Sequence, residues 1–256
     1  MTDSTRLTGW MLGIDTSADL VSVALARIDG SSSTSEAELM WPAGRSQTTT
    51  LLAQIDHLLT LCGIESEAIA AVAVAIGPGG FTALRVGMSV AKGFAFAYGL
   101  PIVGIGTLDA VAYPFVGLGM PIRAFVPAGR GRVVYGDYVR SGGATQLHGE
   151  MAHRAPTDLA ADLLTPTVLA GDLSLEDERT LRDAPHVVLP SAGLRRRTAS
   201  HIIDLALAQL FAGLADDLTD LEPLYVHQRM DESTPQEPAK SPQTQKQRAS
   251  RSGTHE

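Results

Sequence analysis

Residues Ala70-Ala-Val-Ala-Val-Ala-Ile76 are followed by Gly77-Pro78-Gly79-Gly80, and then by Phe81-Thr-Ala-Leu-Arg85-Val-Gly-Met-Ser-Val-Ala-Lys92-Gly-Phe-Ala-Phe96. Gly99-Leu-Pro101-Ile-Val-Gly-Ile-Gly-Thr107-Leu108 completes the segment. An unbroken apolar run bounded by turn residues is the mark of a strand covered on both faces. Pro78 fixes its own φ and pushes Gly77 out of the helical region. Gly79 and Gly80 can take positive φ without steric cost. Phe81, Leu84, Met88 and Ala91 recur at helical spacing, and Ile102 to Ile105 returns as a strand. The segment predicts a strand, a tight glycine elbow, a helix and a parallel strand.

Outward from this unit, Trp10 to Ile14 and Leu20 to Leu25 read as strands, with Asp15-Thr16-Ser17 in the hairpin turn between them. Ala37 to Trp41 reads as a third strand. Ser46 opens a helix whose stripe is Leu51, Leu52, Ile55, Leu58, Leu59 and Cys62, with Gly63 as its C-terminal cap. On the other side, Thr107 caps a short helix from Leu108 to Tyr113. A Gly/Pro-rich join follows, from Pro114 to Pro121. Strands are expected over Ile122–Val126, Val133–Val139 and near Gln146–Leu147, and again over Thr167–Ala170 and Val187–Leu189. Helices are expected over Thr157–Leu164 and from Ser191 or Thr198 onward, the last presenting Ile203, Leu207, Leu210 and Leu214 on one face. The order strand–strand–strand–helix–strand–helix thus occurs twice. It divides the chain into lobes over residues 1–113 and 114–229. Residues 1–8 are polar, and 230–256, rich in Ser, Pro, Gln and Lys, read as a disordered tail.

Composition narrows the function. The chain has 256 residues, is 45% hydrophobic and 19% charged, and carries a net charge of −8. Beyond Arg229 there are four acidic and four basic residues, so the whole −8 lies in residues 1–229. An acidic body does not draw in phosphates at long range, which argues against a free-standing nucleic-acid binder. Cys62 is the single cysteine, which excludes an internal disulfide or a cysteine metal cluster. No apolar run approaches the ~18 residues of a membrane span, and no signal pattern opens the chain, so a cytoplasmic protein is expected.

The motifs leave several chemistries open. The elbow at a helix N-terminus suits an anion, or is simply a tight strand-to-helix turn. It is neither a Walker loop nor a dinucleotide fingerprint, because the required Lys and third Gly are missing. Asp15-Thr16-Ser17 is a candidate phosphate or Mg²⁺ loop, against ordinary turn chemistry. Arg195-Arg196-Arg197 is either a solvated helix start or a contact for tRNA phosphates. Arg85, one turn into its helix, is disfavoured by the dipole and implies a carboxylate or carbonyl partner. His57 reads as a helix-surface residue, and His148 and His153 as loop residues. No H-E-x-x-H or G-x-S-x-G motif occurs, and Ser89 reads as a helix-packing serine.

The strings Leu12-Gly-Ile-Asp15-Thr16-Ser17 and Gly77-Pro-Gly-Gly-Phe-Thr-Ala-Leu-Arg85-Val-Gly87 closely resemble the TsaB (YeaZ) family. Ala91-Lys92-Gly93 and Pro101-x-x-Gly104-x-x-Thr107-Leu108 extend the resemblance, with Leu169-Ala-Gly171-Asp172 and Pro223-Leu-Tyr225-Val226 as later signposts. TsaB is the non-catalytic subunit of the bacterial tRNA threonylcarbamoyladenosine machinery. The resemblance implies an α/β, two-lobed fold of the actin, Hsp70 and sugar-kinase kind, with duplicated βββαβα lobes. It implies docking on the catalytic paralogue TsaD through the helices Ser46–Cys62 and Phe81–Phe96, with Leu51, Leu52, Ile55, Phe81, Leu84, Arg85, Met88, Ala91 and Lys92 at the interface. Gly87, Ala91 and Gly93 would keep that helix surface low for a partner helix.

Asp15, Thr16 and Ser17 would be a vestigial nucleotide loop. No cofactor is expected on the chain itself; ATP and Mg²⁺ would be used through partners. Those partners are TsaD, the ATPase TsaE, TsaC as the source of threonylcarbamoyl-AMP, and tRNA through the complex, with a homodimer when free. Departures from the family pattern are Gly44-Arg45-Ser46-Gln47 without a histidine, Pro127-Ala-Gly-Arg130-Gly-Arg132 in place of Asp-Ala-Arg, and Tyr225-Val-His227 in place of Tyr-x-Arg. TsaD's His-x-x-x-His pair is missing too. The alternatives are a kinase-like ATP-dependent enzyme of the same fold and a glycoprotease-like peptidase.

Overall fold

A computed structural model describes residues 7–226 apart from 43, 45, 46, 142, 143 and 225. The expected helix start at Ser46, the loose N-terminus through residue 6, the Tyr225 and His227 positions and the 230–256 tail lie outside the described residues.

Two five-stranded mixed sheets carry the fold. The first contains β1 (Thr8–Asp15), β2 (Leu20–Asp29), β3 (Ser32–Pro42), β4 (Ile69–Gly77) and β5 (Ile102–Gly106), in the order β3-β2-β1-β4-β5. The second contains β6 (Ile122–Pro127), β7 (Val133–Ser141), β8 (Ala144–Arg154), β9 (Thr167–Ala170) and β10 (Val187–Val188), in the order β10-β9-β6-β7-β8. In each, three consecutive strands form an antiparallel meander and the last two join its first strand in parallel. The two sheets therefore share one topology. The expected two-lobed α/β duplication of the actin, Hsp70 and sugar-kinase kind is the observed fold.

Side-chain alternation explains how each sheet is covered. Along β4, Val72 and Val74 point to one face and Ala71, Ala73 and Ala75 to the other. The bulky face packs under α1 (Gln47–Cys62) and α2 (Phe81–Tyr98), against Leu51, Ile55, Leu58, Met88 and Ala91. The alanine face receives α6 (Ala199–Phe211), through Ala199, Ile202, Ile203 and Ala206. Gly13 makes this approach possible, since a Cβ there would sit 2.7 Å from Ala199 O and from Ile203 Cγ1. In return α3 (Thr107–Ala112) of the first half lays Leu108, Val111 and Ala112 on the second sheet. The last helix of each half thus covers the other half's sheet.

Several local expectations are corrected. β3 begins at Ser32 rather than Ala37. His148 and His153 are in strand β8, not in loops; His148 is exposed, whereas both ring nitrogens of His153 are buried without a hydrogen-bond partner. The helix expected at 157–164 is a short 3-10 turn, Pro156–Ala160. α4 (Leu175–Arg182) was not expected; its charged sequence buries only Leu181. A four-residue helix α5 (Ala192–Arg195) follows Ser191, and α6 is capped by Thr198, whose Oγ1 accepts from His201 N at 3.4 Å. Leu214 lies beyond the end of α6 and is exposed. Thr107 is the first residue of α3, with Gly106 at the cap position, and the Thr107 hydroxyl is buried without a partner.

Candidate functional site

Two features meet the elbow, a hairpin on its inner side and a helix face on its outer side. Gly77 has φ 117° and a cis bond to Pro78, so the residue in the left-handed region is Gly77 rather than Gly79 or Gly80. Gly79 is needed for another reason: a Cβ there would overlap Ser17 O. Gly80 N donates to that same carbonyl at 2.8 Å. Two turns later a Cβ on Gly87 would collide with Thr16, whose hydroxyl donates to Ala83 O at 2.7 Å. The elbow's close packing clamps the hairpin onto the start of α2. Gly87 and Ala91 therefore face the protein's own interior, not a partner helix.

Asp15, Thr16 and Ser17 are all buried. Asp15 Oδ1 accepts from Ser17 N at 2.8 Å and from Ser17 Oγ at 2.6 Å. Asp15 Oδ2 accepts from Arg197 Nη1 at 3.1 Å, and the same nitrogen donates to Ser17 Oγ. Arg197 Nη2 lies 3.6 Å from Asp172 Oδ2, at the turn that follows β9. The hairpin of the first sheet and the Gly171–Asp172 turn of the second thus meet on one guanidinium.

The arginine run is neither a solvated helix start nor a free phosphate patch. Arg195 and Arg197 are each 3% exposed, and Arg196 alone faces solvent. Arg195 donates to Pro190 O at 2.8 Å, Gly171 O at 3.0 Å and Glu178 Oε2 at 2.7 Å. The sequence carries no signal for this, because three adjacent arginines look alike until β9 and the hairpin are brought beside them.

On the outer side, the expected docking residues divide. Leu51, Ile55, Leu84, Met88 and Ala91 are buried in the core beneath α1 and α2 and cannot reach a partner. They were expected outside because an amphipathic stripe shows which residues share a face, not whether that face is already covered. Lys92 turns toward the C-terminal segment, with Nζ 3.5 Å from Thr219 O. Leu52, Phe81 and Arg85 are exposed. The Arg85 guanidinium stacks over the Phe81 ring at 3.9 Å.

Phe81, Arg85, Ser89, Gly93 and Ala97 form an exposed ridge at four-residue spacing along α2. Beside it, Leu52, Val90, Phe94 and Tyr98 help line a groove of about 370 Å³. Ser89 belongs to this open face, its hydroxyl donating to Arg85 O at 2.7 Å. The groove is predominantly apolar and open to solvent.

A family model described as "TsaD: tRNA N6-adenosine threonylcarbamoyltransferase" matches residues 42–187. Among curated proteins, the "tRNA threonylcarbamoyladenosine biosynthesis protein TsaB" of Escherichia coli K12 is 29% identical over 231 residues, covering 84% of this chain and 94% of that protein. The protein of the same name in Haemophilus influenzae is 36% identical over 102 residues, 40% of this chain and 41% of its own length. A "tRNA N6-adenosine threonylcarbamoyltransferase" of Anaeromyxobacter dehalogenans is 35% identical over 106 residues, covering 41% of this chain and 29% of the transferase. Of the solved structures, YeaZ from Pseudomonas aeruginosa superposes with a TM-score of 0.67 at 25% identity, covering 85% of this chain and all of that one.

Proposed function

This chain belongs to the TsaB (YeaZ) family of tRNA threonylcarbamoyladenosine biosynthesis proteins, and on that premise we propose that it is a scaffold rather than the transferase itself. It docks a TsaD-type partner on the α1–α2 face and so supports that partner's transfer of threonylcarbamoyl to N6 of the adenosine beside the anticodon. A TsaE-type ATPase and the TsaC-type source of threonylcarbamoyl-AMP act on the same assembly, and ATP and Mg²⁺ enter through them. Two lines support a non-catalytic part. No two histidines of the sequence are spaced as His-x-x-x-His. The hydroxyls and carboxylate of the one candidate phosphate hairpin are engaged inside the protein, which also disfavours the kinase-like reading. Among the described residues no helix is long and apolar enough to cross a membrane.

The observation that carries the reading is the groove beside the Phe81–Ala97 ridge. Its outer residues, not the buried stripe below, are where a partner helix would seat. A charge at Ala97 tests this without disturbing the core, since Ala97 is exposed. Ala97→Glu should weaken binding to the cognate TsaD-type partner by about 10–100-fold, the scale of an interface hot spot. Leu164→Glu, at an exposed leucine of the second half, should leave it unchanged. Titration calorimetry reads the affinity, and a transfer assay with tRNA reads the consequence. Undiminished binding by Ala97→Glu, or transfer by this chain without a partner, overturns the proposal. Self-association lost in Ala97→Glu while partner binding survives would assign the face to a homodimer instead.

A further inference from the structure

We infer that Arg197 is a built-in cation that occupies the place of a divalent metal ion between the two lobes, clamping them together. Three oxygens converge on this one guanidinium: Asp15 Oδ2, Ser17 Oγ and Asp172 Oδ2. Two come from the hairpin of the first sheet and one from the turn after β9 of the second. A carboxylate from each of two facing loops, with a hydroxyl beside them, is an oxygen donor set of the kind that hard divalent cations take. The arginine does not fork onto either carboxylate, which would be its best pairing. It spends Nη1 on Asp15 and points Nη2 at Asp172, while Nε is buried with no partner at all. Its donors are thus placed to bridge two charges rather than to be saturated by one.

The surroundings fix this arrangement. Arg197 immediately precedes Thr198, the cap of α6, and α6 is seated on the first sheet at Gly13. Glu38 holds the same junction by accepting from Ala199 N at 2.7 Å and Ser200 Oγ at 2.9 Å. The guanidinium is held between the hairpin and the Gly171–Asp172 turn by an element that cannot easily withdraw. Asp15 and Ser17 are themselves pinned by the elbow, through the bond from Gly80 N to Ser17 O. A metal-bound nucleotide has no vacancy there while the arginine stays in place. Removing the arginine leaves a buried carboxylate without its counter-charge and opens an oxygen-lined vacancy for a cation.

The test is thermal melting of the full chain with and without 10 mM MnCl₂, as wild type, Arg197→Met and the double variant Asp15→Asn/Arg197→Met. Arg197→Met should melt below wild type, and Mn²⁺ should recover about 3–6 °C if it binds with a Kd on the order of 1 mM. Wild type and the double variant should shift by less than about 1 °C, because one is already filled and the other lacks the carboxylate. A wild-type melting temperature in Arg197→Met, or a Mn²⁺ response no larger than that of wild type, overturns the inference. Should Arg197→Met fail to fold, Asp172→Asn replaces it, as the Asp172 side chain is 37% exposed and tolerates the change. Amide hydrogen exchange over residues 15–19 and 171–174 should then quicken by about tenfold. Unchanged exchange at both segments overturns the clamp.

Discussion

Two glycines on one helix should respond in opposite directions to the same substitution. Gly87 and Gly93 both lie inside α2, where replacing Gly with Ala gains about 1 kcal/mol of helix propensity. At Gly93 nothing lies within 4 Å of the new methyl, so that gain is kept. At Gly87 the methyl overlaps the Thr16 hydroxyl and also meets Thr16 Cγ2 at 3.1 Å and Cβ at 3.2 Å. Thr16 is fully buried and bonded to Ala83 O, so it has nowhere to swing. Overpacking of this kind costs about 1–3 kcal/mol, and loss of the Thr16 bond about 1 kcal/mol more. Net of propensity, Gly87→Ala should destabilise by about 2 kcal/mol, lowering Tm by about 4–8 °C in a chain of this size. Gly93→Ala should raise it by about 2–4 °C. Differential scanning calorimetry on the two variants side by side is the assay. A Gly87→Ala protein as stable as wild type would refute the clamping of the hairpin by α2.

The arginine run offers a second contrast. Arg195→Ala leaves Glu178 paired with Arg182 alone and takes the donor from two carbonyl groups in a buried site, and should cost about 2–4 kcal/mol, whereas exposed Arg196→Ala should stay within about 0.5 kcal/mol of wild type. Urea denaturation separates the two, and equal effects would contradict the burial pattern. A third prediction concerns acid. Hydrogen bonds from Arg154, and then from Arg123, hold the Asp162 carboxyl well below the usual carboxylate range. Its folded pKa is depressed, so its contribution is complete above the unfolded value of about 4 and is lost as pH falls through the folded value. The Asp162 side chain is 51% exposed, which limits the cost of Asp162→Asn at pH 7 to about 1 kcal/mol. The gap from wild type should narrow between pH 7 and pH 3; a wider gap at pH 3 would reverse the sign.

Much of the first half is legible in the sequence because local and tertiary signals agree there. The Ala70–Ile76 run, the glycine elbow and the α2 stripe each dictate one element, and the elements are neighbours in space as well as in sequence. The meander of the second half and the start of α6 are readable for the same reason. What could not be read is what depends on distant pairing. β8 lies at an edge, so nothing obliges its outer positions to alternate. α4 has a local signal in its Ser174 N-cap, which accepts from Asp177 N, but its low apolar content hides it, and the pairing of Glu178 with Arg195 appears only once α5 is in place. The residues expected at a docking face show a related limit. Helical periodicity gathers Leu51, Ile55, Leu84, Met88 and Ala91 onto one side, but only the sheet beneath shows that this side is already occupied. The legible feature of the candidate site was the hairpin–elbow pair; its arginine, Arg197, arrives from the far end of the chain.

The duplicated topology shows why a docking face would exist once and not twice. In the first half, full-length helices α1 and α2 cover one sheet face and leave a groove on their outer side. At the equivalent places in the second half stand a 3-10 turn, Pro156–Ala160, and the short charged α4. Their hold on the sheet is partly polar. Arg123 forks onto Asp137 at 2.6 and 2.8 Å and also donates to Leu159 O and Asp162. Arg154 shares Asp162, and both guanidinium groups stack on Tyr135. Such a network fixes short, polar elements in place and, among the described residues, leaves no long apolar helix ridge there. The exchange of α3 and α6 between the sheets makes the two halves mutually dependent: Ala199 and Ile203 of the second half complete the core of the first, and Leu108 and Val111 of the first complete the second. A perturbation at Arg197, one residue before the cap of α6, therefore acts on the packing of the same sheet whose opposite face supports α1 and α2.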